Sequence, residues 1–548
     1  MTTAWAARRG NRDQTASPRG TSIALAALCT LLFLTFLDNT VVSVGLGSIQ
    51  TDLSASVADL QWIVGAYALT FAAIMLACGM IGDELGRKAV MLAGAAVFCV
   101  GSVVCATAQS PDVLIAGRAI MGLGAAASEP GTLSVLRHLY TDERARARAV
   151  GIWAGVSGLA LAMGPVIGGI LVGVWSWRGI FWFNLAFGLA ALIIAALVVP
   201  ESSDPHAARV DTAGTLLGAA ALGTLVSAII DAETNGFADP IVITLLCVAV
   251  VTAAAFIWWE RRAAFPLLDL KFFRLRQFTI PNVVAFCTYF ATFAIFFFTA
   301  LYLVEVVNAS GLRIALLFLP LTILMITASV LTGRWIARIG TRWAITIGCL
   351  FYGAGLIITN FVISPHPDYA GLGIALALVG IGIGVTVVPV TTSVLNAVPA
   401  DRSGMAASAA NTSREIGAVT GVAILGSLVS SRLVAGVTSL LAAMHLTAFA
   451  PYVINGIETG QTPTPAQLAI PGAKQVFDAA YAAFGTGVHW ALYLSAGLVL
   501  FAAVLTVTFL RDPAPGTATA AATATSTPST ATPATATPSA ADPDGIAD

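Results

Sequence analysis

The sequence predicts an all-α membrane protein with fourteen transmembrane helices, and three observations predict it. Hydrophobic residues make up 57% of the 548-residue chain and charged residues 10%, which is more apolar surface than a water-soluble core of this length can bury. Apolar runs of the roughly 20 residues that a bilayer crossing needs recur between short polar breaks. Lys and Arg then test the count independently of hydrophobicity. With the N-terminus inside and fourteen spans, 21 of the 27 Lys and Arg fall on the inner side, Arg118 and Arg414 lie within spans, and only Arg178, Arg313, Arg432 and Lys474 fall outside.

Taken in order, the first 21 residues form a cytoplasmic segment with Arg8, Arg9, Arg12 and Arg19. The apolar run that follows is too long for a cleaved signal and lacks an A-x-A site, so it is read as a retained first helix. The spans are placed at roughly 22–46, 58–80, 89–108, 112–135, 149–173, 179–199, 213–230, 240–258, 279–304, 313–333, 343–363, 370–396, 406–430 and 488–510. An even number returns the C-terminus to the cytoplasm. Residues 436–487, with Thr462-Pro463-Thr464-Pro465, form a long outward loop. Residues 512–548 are Ala, Thr, Pro and Ser almost throughout, lack an apolar face, and read as a disordered cytoplasmic tail.

The chain repeats one pattern. Gly79 to Lys88 (Gly-Met-Ile-Gly-Asp-Glu-Leu-Gly-Arg-Lys) lies between spans two and three, and Gly333 to Arg342 lies between spans ten and eleven. Each has two glycines seven residues apart, followed by basic residues. This spacing predicts two parallel six-helix bundles, residues 22–199 and 279–511, with residues 200–278 as an inserted helix pair and linker.

Several charged residues lie inside apolar runs. A carboxylate there costs about 3 kcal/mol on insertion scales, so Asp38 must face a cavity or a partner. It is a candidate for reversible protonation or for contact with a cationic substrate group, the alternative being a structural hydrogen-bonding residue. Arg118 is a permanent charge in a span and requires an acceptor, water or a neighbouring acid. Glu129 follows eleven residues later, close to three helical turns and about 16 Å away on a similar face, so the two cannot pair directly. Arg414 and Glu415 are adjacent and point about 100° apart, so they do not automatically neutralise each other.

These residues fall within a series of motifs in which the sequence resembles the major facilitator superfamily, specifically its fourteen-helix drug:proton antiporter family of the EmrB/QacA type. Leu37-Asp38-Asn39-Thr40-Val41-Val42-Ser43-Val44 is similar to the family's L-D-x-T-V-V-N-V, with Ser43 for Asn and Gly47 for a later Pro. Gly79, Asp83, Gly86, Arg87 and Lys88 match the superfamily's G-x-L-x-D-R-x-G-R-[KR] loop, with Glu84 where Arg is common. Arg118, Gly122, Gly124, Ala125 and Ala126 match R-x-x-x-G-x-G-A-A, and Asn411 to Gly417 carries the S-R-x-x-G signature. Gly155, Gly164, Pro165, Gly168 and Gly169 match the antiporter motif G-x8-G-P-x-x-G-G, whose small residues permit close helix contact while Pro165 bends the span. Trp177-Arg178-Gly-Ile-Phe181-Trp-Phe-Asn184 matches W-R-x-I-F-x-x-N, although an interfacial aromatic belt accounts for Trp175, Trp177 and Trp182.

The resemblance implies a major facilitator fold and secondary active export of a small hydrophobic drug or antibiotic from a bacterial plasma membrane, by proton antiport and alternating access, with resistance as the outcome. It further implies that Arg118 serves proton coupling and that the Gly79–Lys88 loop is a gate; Asp38, Arg414 and Glu415 are candidates for coupling or the substrate cavity, and so is Glu129, where relatives usually have an apolar residue, the alternative for it being a buried structural acid. A metabolite or nutrient proton symporter and a transporter-fold sensor are the alternatives. Partners are protons, substrate and lipid bilayer, with no nucleic acid, and the chain is read as a monomer.

Other chemistry finds little support. The seven Cys lie in apolar runs without Cys-x-x-Cys spacing, and the five His are dispersed, so the sequence offers no metal site, cofactor or enzyme centre. No G-x-x-x-x-G-K-[ST] loop is present, so transport draws on an ion gradient. Phe286, Tyr289, Phe290, Phe293, Phe296, Phe297 and Tyr302 recur at helical spacing, a face for packing or for stacking a polycyclic ligand.

Overall fold

The computed structural model describes residues 18–140, 142–202, 211–263, 266–307, 309, 311–398, 403–443, 453–454 and 473–511. The N-terminal segment, most of the long loop and the tail from 512 onward lie outside the described residues. Short polar breaks act as helix starts because their side chains satisfy the free amides of the first turn. Ser56 forms a capping box with Asp59, Ser110 precedes Pro111, and Asp142, Asp211, Asp239 and Asp368 each accept a first-turn amide.

The helices are α1 (Gly20–Leu53), α2 (Val57–Leu85), α3 (Arg87–Ala106), α4 (Pro111–Leu139), α5 (Glu143–Val174), α6 (Arg178–Val198), α7 (Thr212–Asn235), α8 (Pro240–Glu260), α9 (Arg276–Val304), α10 (Leu312–Ile336), α11 (Arg338–Val362), α12 (Tyr369–Asn396), α13 (Ser403–Ala443) and α14 (Ala473–Phe509). Among the described residues, twelve helices are long and apolar enough by themselves to cross a membrane. The other two of the expected fourteen are α4 and α5, of 29 and 32 residues. Asp112, Arg118, Glu129 and Arg137 dilute the apolar character of α4.

Two boundaries differ from the sequence expectation. α13 continues to Ala443 and α14 begins at Ala473, so the connection is shorter than 436–487. Arg432, Lys474 and Asp478 look like span ends, but a helix of 41 residues runs about 60 Å, twice the hydrocarbon thickness. Such helices carry their polar residues beyond the apolar layer.

α1 to α6 pack among themselves, as do α9 to α14, while α2 meets α13 and α5 meets the α10–α11 run across the two groups. α7 rests on both α2 and α13, with α8 behind it. Leu222 and Val226 of α7 face Leu69 and Ala72 of α2 and Ile416, Val419 and Thr420 of α13 around a small apolar cavity. The inserted pair therefore lies along the seam between the groups.

The repeat is visible in backbone geometry. α2 joins α3 through Gly86 alone, at φ 120°, and Gly340 breaks the α10–α11 run at φ 78°. Both values belong to the left-handed region that side chains avoid. Two residues beyond each glycine, a basic side chain reaches the last helix of its own group. Lys88 Nζ donates to the Ala196 carbonyl at 2.7 Å, and an Arg342 guanidinium nitrogen donates to the Val507 carbonyl. Each acceptor lies two residues before its helix ends, where unpaired carbonyls and the negative end of the helix dipole favour a cation.

Gly86→Ala and Gly340→Ala are each expected to lose about 1–2 kcal/mol from the left-handed backbone alone. Gly86→Ala loses more, because a methyl group there would stand 2.9 Å from Glu201 Oε1. Thermal unfolding of the purified variants measures both, and neutral results at the two sites would refute this account of the joints.

Candidate functional site

Three helices of the first group bring one acid, one base and one amide together. α1 supplies Asp38, α4 supplies Arg118 and α6 supplies Asn184, all three buried. Arg118 Nη1 donates to Asp38 Oδ2, and Asn184 Nδ2 donates to Asp38 Oδ1 at 2.6 Å. Arg118 Nε donates to the Ile63 carbonyl at 2.9 Å, and its guanidinium lies 4.4 Å from the Tyr67 ring centroid. The Tyr67 hydroxyl donates to the Thr35 carbonyl at 3.1 Å. Charge, hydrogen bonds and cation–π contact thus compensate the desolvation of both ions. Sequence reasoning located Asp38 and Arg118 without pairing them, and left Asn184 inside a motif explained by its aromatics. The available signal was an Asn isolated in an apolar span.

A second cluster joins the two groups. Glu129 of α4 is buried, and its Oε1 accepts from Asn411 Nδ2 of α13 at 2.5 Å. Asn411 Oδ1 accepts from Arg414 Nη1 at 2.7 Å, one helical turn along the same face. Arg414 Nη2 donates to Thr391 Oγ1 of α12 at 2.5 Å, and the guanidinium stands 5.6 Å from the Tyr289 ring of α9. Glu415 is buried beside them, and its Oε2 has no hydrogen-bond partner. Glu129 and Arg118 serve different clusters. Asn411 and Thr391, which bind Arg414, were not singled out because neutral polar residues are ordinary in spans.

The loop residues Gly79 to Lys88 are mostly helical, with Gly86 as the only break. Its backbone amides bond to the segment just past α6. Glu201, just past α6, accepts from the Lys88 amide at 3.0 Å and the Ala89 amide at 3.2 Å, while the Arg87 amide donates to the Ser202 carbonyl at 2.8 Å. Glu201 therefore caps α3, a role the sequence did not disclose. The Asp83 side chain lies outside the described residues. Gly79 faces the other group, since a methyl group there would stand 3.6 Å from Ser408 Oγ.

The glycines of the α5 motif divide into two kinds. A methyl group on Gly164 would strike Thr40 and approach the Val41 amide nitrogen at 2.9 Å, and one on Gly168 would stand 2.5 Å from the Val41 carbonyl oxygen. These two glycines seat α5 against α1 just beyond Asp38. Gly169 is also buried. Gly155 has open space around it, so close helix contact is not its role. The Pro165 side chain lies outside the described residues, and α5 continues as one helix through that position.

The aromatic face of α9 is packed. Tyr289, Phe290, Phe296, Phe297 and Tyr302 are buried, and a π-helical turn spans Ala294–Thr299. Trp177 also departs from the aromatic-belt expectation. It is buried and donates to Asp52 Oδ2 at 3.0 Å, alongside Arg178 at 2.5 Å, whereas Trp175 and Trp182 are exposed. A polar acceptor on a neighbouring helix drew its indole inward. Among the described residues, no group of His, Cys, Asp and Glu could hold a metal ion.

Comparison with known proteins follows the same lines. A family model described as Major Facilitator Superfamily matches residues 28–422. The chain is 34% identical over 400 residues to the multidrug resistance protein Stp of Mycobacterium tuberculosis, covering 73% of this chain and 74% of that one. It is 30% identical over 505 residues to the multidrug efflux pump LfrA of Mycolicibacterium smegmatis, covering 92% and 99%. Among solved structures, a bacterial homologue of the human lysosomal transporter Spinster aligns with a TM-score of 0.59 at 16% identity, covering 91% of this chain and all of that one.

Proposed function

We propose, on the premise that the chain belongs to the Major Facilitator Superfamily, that it exports a small, largely apolar organic compound across a bacterial plasma membrane in exchange for protons. Relatives named for multidrug resistance and multidrug efflux support export. The observation that carries the coupling is the Glu129–Asn411 hydrogen bond, because it places buried ionisable groups where the two six-helix groups meet. Rocking of residues 22–199 against 279–511 makes and breaks that contact, so protonation and access can alternate together. In this reading Asp38 and Arg118 hold the first bundle's centre, Glu129, Arg414 and Glu415 respond to the proton, and Gly79 to Lys88 form the hinge end of the gate. Both termini face the cytoplasm, as the Lys and Arg distribution supports, and the working unit is one chain.

Driving force is adequate. One charge crossing 100 mV supplies about 2.3 kcal/mol, which is between tenfold and a hundredfold in concentration. Inverted membrane vesicles with an acidified lumen, containing the protein and given ethidium, are expected to accumulate the dye and to lose it on addition of a protonophore. Accumulation that survives the protonophore would overturn proton exchange, and net movement into whole cells would favour a symporter.

A further inference from the structure

The two buried clusters differ in charge balance. Asp38 and Arg118 are one acid and one base, joined directly. The second cluster has two acids, Glu129 and Glu415, and one base, Arg414, all buried. A net charge at membrane depth is strongly disfavoured. The second cluster is neutral only when one proton sits on one of its two carboxyls.

The hydrogen bonds distinguish the two carboxyls. Asn411 turns its NH2 to Glu129 and its carbonyl to Arg414, at 2.5 and 2.7 Å. An amide so placed is polarised by the guanidinium and donates more strongly to the carboxylate beyond it. Arg414 Nη2 is engaged by Thr391. Glu415, although next in sequence, receives no hydrogen bond at Oε2, an arrangement that suits a neutral carboxyl and penalises an ionised one. Glu415 lies within electrostatic reach of Glu129 from α4, Tyr67 from α2, Tyr289 from α9 and Arg414 from its own helix. Glu129 is thus the acid on the opposing bundle that competes with it for Arg414.

We propose that Asn411 relays the charge of Arg414 across the bundle interface to Glu129, and that Glu415 carries the one exchangeable proton. When the bundles part at this level, Glu129 leaves Asn411 for water. Arg414 then turns to Glu415, whose O–H bond breaks and whose proton passes to water, leaving an Arg414–Glu415 ion pair. Closing the interface restores the relay, and Glu415 takes up a proton again. One proton moves per cycle. This deepens the proton-exchange reading and rests on it, with Asn411 as a positioning residue.

The test reads protonation directly and needs no substrate. Infrared spectra of the purified full chain at neutral pH, in the closed state, taken as wild type minus variant in a Glu260→Gln background because Glu260 is a further buried carboxyl with an unpartnered oxygen, are expected to show the carbonyl stretch of one protonated carboxyl. Glu415→Gln removes that band. Glu129→Gln removes it as well, because Arg414 then balances an ionised Glu415. Asp38→Asn leaves it in place in the folded fraction. Asn411→Leu retains the band but shifts it, since the proton moves to Glu129, whereas a merely structural Asn would leave its position unchanged. A band that persists in Glu415→Gln or in Glu129→Gln overturns the proposal, as does a wild type without one.

Ethidium flux in the same preparations separates the two levels of argument. Flux abolished by protonophore together with a persistent band refutes the relay and leaves proton exchange standing. Flux indifferent to protonophore refutes proton exchange even if the band follows the expected pattern.

Discussion

Asp38→Asn is expected to abolish transport and to destabilise the protein by about 3–5 kcal/mol, the usual cost of leaving one ion of a buried pair without its partner. The substitution keeps the shape of the side chain but leaves the Arg118 cation opposite a neutral amide, with only the Ile63 carbonyl and the Tyr67 ring to compensate it. Asn184 loses as well, because its short bond to Oδ1 is to a charged acceptor. Thermal unfolding in detergent measures the loss. Adding Arg118→Gln removes the unpaired cation, so the double variant should unfold at a higher temperature than Asp38→Asn alone while remaining inactive. Equal unfolding temperatures for wild type and Asp38→Asn would show that this pair does not hold α1, α4 and α6 together.

Gly164→Ala has the second largest expected effect. Its new methyl group meets Thr40 and the backbone of Val41, and backbone cannot move aside as a flexible side-chain tip can. Overpacking of this kind costs about 1–3 kcal/mol. Because α1 would shift only two residues from Asp38, a loss of about tenfold in transport rate corresponds to a disturbance of about 1.4 kcal/mol in the limiting step. Gly155→Ala is the control within the same motif, since open space surrounds it, and it should match the wild type in stability and rate. Similar losses of transport rate in both variants would mean that the motif acts through backbone flexibility, which Ala reduces, and not through contact between α1 and α5.

Much of the fold was legible because bilayer crossing imposes a length and a polarity on every span. The repeat was legible too, since Gly86 and Gly340 mark places where only glycine is comfortable. Helix ends beyond the apolar layer were not, as α13 and α14 show, because a solvated helix can carry Arg432 or Asp478 without penalty. At the site, charged residues betrayed themselves by occurring in apolar runs. Their partners did not. Asn184, Asn411, Thr391 and Tyr67 are neutral residues whose hydrogen bonds depend on which helices become neighbours, and Glu201 looks like any loop acid until α3 begins beside it. Trp177 was misplaced for the same reason, since Asp52 lies on another helix.

The matched staples from Lys88 to α6 and from Arg342 to α14 show one joint built twice, once in each group of helices. What differs is the electrical content. One copy holds an acid and a base that cancel, and it can serve as a fixed frame; the other holds a base beside an acid it does not yet grip, and borrows a second acid from its twin. On the proposed relay, the cluster around Arg414 has a charge to rebalance whenever the two groups separate, whereas the Asp38–Arg118 pair stays balanced throughout.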